Sequence, residues 1–125
     1  MPKRRILLVD DEYHITEIVK LLLERAGGFI VKTINKSTNA LDVARSFKPD
    51  LVLMDLMMPG LTGDHLISEM RRDANLQDVR VLMFTSAATR EDIRTRGGRI
   101  GGVPFLPKPS PPQAILEKIQ QTLIC

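Results

Sequence analysis

The chain reads as an α/β domain on a doubly wound, parallel, five-stranded sheet with helices on both faces, and three observations carry that reading. Short apolar runs alternate with amphipathic segments along all 125 residues, the pattern of strand–helix–strand units joined by right-handed crossovers. The apolar runs are nearly continuous, as in strands buried on both faces. Four of them lead into side chains with usable chemistry: Ile6-Leu7-Leu8-Val9 into Asp10-Asp11, Leu51-Val52-Leu53-Met54 into Asp55, Val79 to Phe84 into Thr85-Ser86, and Val103-Pro104-Phe105-Leu106, through Pro107, into Lys108-Pro109. Ligands of open α/β sheets bind at the carboxyl edge of the strands, so parallel strands would gather three acids, a hydroxyl pair and an amine in one pocket.

Each element has its local signal. After the first strand, Ile15, Ile18, Val19, Leu22 and Ala26 recur at helical spacing, predicting a helix that Gly27-Gly28 stops. Phe29-Ile30-Val31 opens a second strand that alternates weakly to Ile34. Ser37 or Thr38 is placed to cap a helix carrying Ala40, Leu41, Ala44 and Phe47 on one face and ending at Lys48-Pro49. The third strand follows at once. Pro59 to Gly63 is a turn-rich loop, and Asp64 to Arg72 reads as a helix with Leu66, Ile67 and Met70 inward.

The fourth strand comes after Gln77-Asp78. Residues 87–96 read as a weak helix, polar nearly all round. Gly97-Gly98 and Gly101-Gly102 make the next connection loose. The last helix starts at Pro111-Pro112, which a first turn tolerates, and presents Leu116, Ile119 and Leu123 on one face. Without repeats, low-complexity tracts or linkers, residues 1–125 are expected to form a single domain with no effector domain.

Composition narrows the class. A hydrophobic fraction of 43% with 26% charged residues is that of a soluble globular protein, and the lack of tryptophan makes the expected core aliphatic. The single cysteine, Cys125, cannot form an internal disulfide and fits a reducing compartment. Lys3-Arg4-Arg5 precedes an apolar run, but two aspartates cut that run too short for a signal peptide. No run approaches the roughly 20 apolar residues of a membrane span, so a cytoplasmic protein without a membrane partner is expected. The net charge is only +3 and coexists with an acidic group at Asp10, Asp11, Glu12 and Asp55. That asymmetry points to a cation site on a basic surface and away from a nucleic-acid binder.

Taken alone, Asp10-Asp11 reads as a helix N-cap, since aspartate satisfies the free amides of a first turn. Asp55 alone is equally ordinary. Brought together, three carboxylates repel one another and their pKa values rise unless a cation joins them. Mg²⁺, which takes one or two carboxylates, several waters and a phosphate oxygen, suits such a shallow site. A carboxylate can also be a nucleophile that forms an acyl phosphate. Phosphoryl transfer depends on neutralising charge on the transferred group, for which Lys108 offers a compact cation and Thr85 a hydroxyl donor. His14 and His65 lack metal-ligand spacing and read as solvated. Arg90, Arg94, Arg96 and Arg99 are as readily a solvated face as a grip on an acidic partner. Met54, Met57, Met58, Met70 and Met83 read as core and loop filling.

At this point the chain resembles the receiver domain of two-component response regulators. The matching elements are Ile6 to Val9 with Asp10-Asp11-Glu12, Asp55 with Met57-Met58-Pro59-Gly60 and Gly63, Thr85-Ser86, and Lys108-Pro109. They stand in the family's order over essentially the whole chain. The resemblance implies a flavodoxin-like (βα)5 fold with strand order 2-1-3-4-5. It implies that Asp55 accepts a phosphoryl group from a histidine kinase or a histidine phosphotransfer protein. Mg²⁺, or Mn²⁺ in its place, would be held by Asp11, by Asp10 through water, by Asp55 and by the backbone carbonyl of Met57.

Thr85 would hold a phosphoryl oxygen and move, Phe105 would follow it inward, and Lys108 would pair with the phosphoryl group next to a cis bond to Pro109. Ser86 stands where a small residue keeps the phosphate accessible. The resemblance further implies a monomer or a weak dimer formed on phosphorylation, and a downstream partner that is a separate protein or an effector in the same polypeptide. The chain departs from the family pattern where a Gly-Ala pair is usual before the fifth strand and an aromatic after Lys-Pro. Arg99-Ile100-Gly101-Gly102 and Ser110-Pro111-Pro112 stand there instead.

Three competing readings are weaker. A phosphohydrolase with an Asp nucleophile wants a second acid two positions on, where Met57 stands. A receiver locked without phosphate would not need the full set of acids, Thr85 and Lys108. A flavin module would meet repulsion between Asp10-Asp11-Glu12 and the flavin phosphate.

Overall fold

The structure is a computed structural model, and it describes residues 3–55, 58, 63–85, 99–100 and 103–124. Among these, the order is β1 (Arg4–Val9), α1 (Tyr13–Ala26), β2 (Phe29–Ile34), a 3₁₀ turn (Ser37–Asn39), α2 (Ala40–Phe47), β3 (Leu51–Met54), α3 (Gly63–Arg72), β4 (Arg80–Thr85), β5 (Arg99–Ile100), β6 (Val103–Pro107) and α4 (Pro112–Ile124). The sheet runs β2-β1-β3-β4-β6-β5. Its first five strands are parallel, which is the expected order 2-1-3-4-5 with β6 as the fifth.

β5 was not expected. It pairs antiparallel with β6 at the outer edge, Ile100 opposite Val103, and only Gly101-Gly102 separates those residues in the sequence. A pair of glycines between two short runs is a sequence signal for antiparallel pairing, and it was read only as a loose connection. The helix expected over residues 87–96 lies outside the described residues. So do residues 59–62 of the turn-rich loop, Met57, Ser86, and the glycines at 97, 98, 101 and 102.

The pleat sorts the strand residues into two apolar layers. Leu7, Val9, Val52, Met54, Val81, Met83 and Phe105 pack with Ala40, Ala44, Leu66 and Met70 beneath α2 and α3. Ile6, Leu8, Leu51, Leu53, Leu82, Phe84 and Leu106 pack with Val19, Leu23, Ile115 and Ile119 beneath α1 and α4. Since side chains alternate faces with period two, each continuous apolar strand feeds both layers.

In two helices the buried face does not coincide with the apolar spacing of the sequence. In α1 the buried residues are Thr16, Val19 and Leu23, whereas Ile18 is 59% exposed, Leu21 52% exposed, and Ala26 faces solvent. In α4 Ile115 is buried where Leu116 was expected, and Leu116 packs at the edge of the layer. α2 begins at Ala40, after the 3₁₀ turn, so Ser37 opens that turn and neither Ser37 nor Thr38 caps the helix. Its end is as read: Lys48 takes φ 55°, its N–H returns to the Ala44 carbonyl at 3.0 Å, and Pro49 forbids continuation. Away from the functional edge, Arg45 Nε reaches Asp73 Oδ2 at 2.6 Å and ties α2 to the turn after α3, holding the Asp73 carboxyl below the usual range.

Candidate functional site

The strands deliver their terminal residues to one edge because their registers align. Val9 lies opposite Met54, and Met54 opposite Met83, so Asp10 and Asp55 leave neighbouring strands at the same height. The Asp55 N–H donates to the Val9 carbonyl at 3.0 Å, and the Asp10 N–H to the Ile34 carbonyl at 3.0 Å. Thr85 ends β4 opposite Pro107, and the Lys108 N–H donates to its carbonyl at 2.9 Å. Thr85 is fully buried, and the Lys108–Pro109 peptide is cis.

The acids of the first loop are held by a network the sequence reading did not anticipate. The helix N-cap is Glu12, not Asp10 or Asp11, and its side chain makes no capping bond. Asp10 instead accepts the Glu12 N–H at Oδ1, at 2.9 Å, which turns the chain into α1. From the end of β2, Asn35 donates its amide to the Asp10 carbonyl at 2.9 Å and to Thr16 Oγ1 at 3.1 Å. Thr16 in turn donates to the Tyr13 carbonyl at 2.9 Å. Asn35 and Thr16 therefore brace the loop that presents Asp10 and Asp11. Their only trace in the sequence is a threonine at an inward helical position and an asparagine just past a strand.

Lys108 lies at the centre. Its Nζ is 2.5 Å from Asp10 Oδ2, 3.1 Å from Asp55 Oδ2 and 3.2 Å from Glu12 Oε1. The lysine, Asp10 and Asp55 side chains are all less than a tenth exposed, while Glu12 is 58% exposed. The ammonium also lies 5.5 Å from the centre of the Phe84 ring, close enough for a cation–π contribution. Burial pushes the Asp10 carboxyl above its usual range, and the hydrogen bonds from Lys108 and the Glu12 amide recover only part of the shift. Burial alone would lower the Lys108 ammonium, but Asp10 and then Asp55 outweigh it and hold its pKa above the ordinary value.

A cation fits here. Asp10, Asp11 and Asp55 each offer a carboxylate oxygen, and these oxygens lie within 4.8 Å of one another. Oxygens around an octahedral Mg²⁺ at about 2.1 Å lie roughly 3–4 Å apart, so small side-chain adjustments suffice. Lys108 and Mg²⁺ answer the same electrostatic need. Of the expected site residues, the structure brings together Asp10, Asp11, Asp55 and Lys108, with Thr85 at the end of the neighbouring strand. Phe105 is already 2% exposed, packed in the layer under α2 and α3. Met57 and Ser86 lie outside the described residues.

Comparison with known proteins agrees with this geometry. The family model for the response regulator receiver domain matches residues 6–120. The phosphate regulon transcriptional regulatory protein PhoB of Pseudomonas aeruginosa is 34% identical over 124 residues, 98% of this chain and 53% of that protein. The DNA-binding response regulator MtrA of Mycolicibacterium paratuberculosis is 32% identical over 121 residues, 97% of this chain and 52% of that protein. The chain thus spans about half the length of these relatives. Among solved structures, chemotaxis protein CheY4 of Vibrio cholerae superposes with a TM-score of 0.82 at 28% identity, covering 96% of this chain and 98% of that one. The non-phosphorylated receiver domain of HemR from Leptospira biflexa gives 0.81 at 28% identity, covering 98% and 96%. With the acid–lysine edge in place and the family match running from the first strand into the last helix, the chain belongs to the response regulator receiver domains, the flavodoxin-like signalling switches of two-component systems.

Proposed function

We propose that Asp55 accepts a phosphoryl group from a histidine kinase or histidine phosphotransfer protein in a Mg²⁺-dependent reaction, and that the resulting acyl phosphate switches the domain to control a downstream partner. The observation that carries this reading is the buried pair of carboxylates, Asp10 and Asp55, bridged by the Lys108 ammonium at the carboxyl edge of a parallel sheet. Mg²⁺, or Mn²⁺, would be held by Asp10, Asp11, Asp55 and the Met57 carbonyl, and would neutralise charge on the transferred group. An Asp55 oxygen attacks phosphorus as the donor's leaving group departs. Lys108 releases Asp55 and pairs with a phosphoryl oxygen, while the Thr85 hydroxyl donates to another. Slow hydrolysis of the acyl phosphate resets the domain, and a small residue at position 86 would suit the entry of water.

A protein donor has a surface to approach. A groove of about 510 Å³ runs from Glu12, Lys108 and Pro109 along Ile15, Ile18 and Leu22 of α1. Exposed Ile18 and Leu21 on a helix beside the phosphoacceptor suit an apolar helical partner. The downstream partner is a separate protein or an effector in the same polypeptide, the latter in keeping with relatives named as transcriptional and DNA-binding regulators.

Intact mass after incubation with acetyl phosphate and Mg²⁺ tests the chemistry. One phosphoryl group is expected on the wild type, none without divalent metal and none on Asp55→Asn; modification of Thr85, Ser86 or a histidine would refute the reading. The switch has its own check. Because Phe105 is already buried, output rests on repacking around Thr85 and not on an inward swing from solvent. Beryllofluoride, a phosphoryl mimic, should slow amide exchange at Phe105 and Leu106; unchanged exchange with the mimic bound would exclude this route.

A further inference from the structure

We propose that Glu12 latches Lys108 from the rim of the site in the resting protein and selects against dianionic small phosphodonors. An ammonium has three hydrogens to donate, and Lys108 has three carboxylate oxygens within 3.2 Å, one each from Asp10, Asp55 and Glu12. Two of these partners have other work in the proposed reaction: Asp10 would help hold the cation and Asp55 would receive the phosphoryl group. Glu12 has neither task. It is the N-cap residue just before α1, its side chain makes no capping bond, and it is the exposed member of the set.

Two consequences follow from that position. When Lys108 turns to a phosphoryl oxygen, the Glu12 bond is the one that the reaction neither replaces nor requires, so the glutamate competes with the transferred group for the lysine. The Glu12 carboxylate also stands in the mouth of the site, within the groove that runs along α1. A donor entering there passes a negative charge, and the repulsion grows with the donor's own charge.

The inference rests on Asp55 as phosphoacceptor. With acetyl phosphate, a dianion near neutral pH, an Asp55 oxygen forms the new P–O bond, the acyl P–O bond breaks, and acetate leaves with the bonding pair. With phosphoramidate, a zwitterion of net charge −1, the P–N bond breaks and ammonia leaves with the three protons its nitrogen already carries. The bond to Asp55 is the same in both reactions, and the charge brought past Glu12 differs by one unit.

The experiment compares the two donors at fixed Mg²⁺ on the wild type, Glu12→Gln and Glu12→Asp, with the phosphorylated fraction read by intact mass. Glu12→Gln is expected to speed phosphorylation by acetyl phosphate about threefold and by phosphoramidate distinctly less, because one exposed charge is removed from a screened site. Raising the salt to about 0.5 M should shrink the gap between donors. Glu12→Asp keeps the charge on a shorter stem and should keep the wild-type donor ratio, an outcome a purely structural role would not produce. Equal acceleration with both donors would overturn the selection by donor charge, and slower phosphorylation in Glu12→Gln would overturn the latch on Lys108; either result leaves Asp55 intact as acceptor. If neither donor modifies the wild type, the phosphoacceptor reading fails and the inference falls with it.

Discussion

Lys108→Ala is expected to destabilise the metal-free protein by about 3–5 kcal/mol at pH 7, the range for removing one partner of a buried ion pair. The size comes from what is left behind. Asp10 and Asp55 are each less than a tenth exposed, and the ammonium that neutralises both is lost at once. The cation–π contact with Phe84 goes with it. Denaturant titration measures the loss, and a change below about 1 kcal/mol would show that water already screens the pair.

The pH dependence of that loss has a definite sign. In the wild type, Lys108 has a raised pKa, so its contribution is complete at neutral pH and disappears only as pH climbs past the ordinary lysine value of about 10.4. Asp10 also has a raised pKa, so the folded state binds a proton there more tightly than the unfolded chain does. The Asp10 contribution is therefore greatest at acid pH and is lost as pH rises through its folded value. Without Lys108 its carboxyl rises further, and the deficit of the variant should shrink between pH 7 and pH 5. Mg²⁺ should shrink it at pH 7 by supplying the missing positive charge. A deficit independent of both pH and Mg²⁺ would mean that lost packing of the lysine stem outweighs electrostatics.

Most of the site was legible because it lies where chemistry and backbone order coincide. A strand end fixes where Asp10, Asp55, Thr85 and Lys108 emerge, and parallel order puts those ends on one edge, so four one-dimensional signals became one pocket. The helix faces were less legible. Ile18 and Ala26 fit the apolar spacing of α1, but a hydrophobic pattern cannot tell the stripe facing the sheet from a stripe left open beside it. Thr16 sits on the inward face because its hydroxyl bonds within the helix and to Asn35, which periodicity of apolar residues does not register. The Lys108–Glu12 contact leaves no local signal, because it joins residues 96 positions apart. β5 escaped notice because two residues carry no alternation; the Gly-Gly that follows was its only sign.

Asp11→Ala should separate metal binding from folding more cleanly than any other change in the site. Among the described residues Asp11 makes no ion pair, and it is exposed, in contrast to buried Asp10 and Asp55, which Lys108 already engages. It is thus the acid most available to an incoming cation. Mg²⁺ has few protein ligands here and water in its remaining positions, so losing one carboxylate should weaken binding by at least about tenfold, or ~1.4 kcal/mol. The same change removes one of three like charges from the metal-free pocket, and apo stability should rise by up to about 1 kcal/mol, a small gain because the group is screened by solvent. The effects have opposite signs, which distinguishes them from general damage to the fold. A ligand that binds only the folded state raises its stability in proportion to the logarithm of concentration over Kd. Mg²⁺ should therefore raise the wild-type Tm across a millimolar titration while the variant, starting slightly higher, stays nearly flat. Undiminished affinity in titration calorimetry, or a parallel Mg²⁺ response in the two melting series, would remove Asp11 from the ligand set and leave Asp10 and Asp55 to hold the ion.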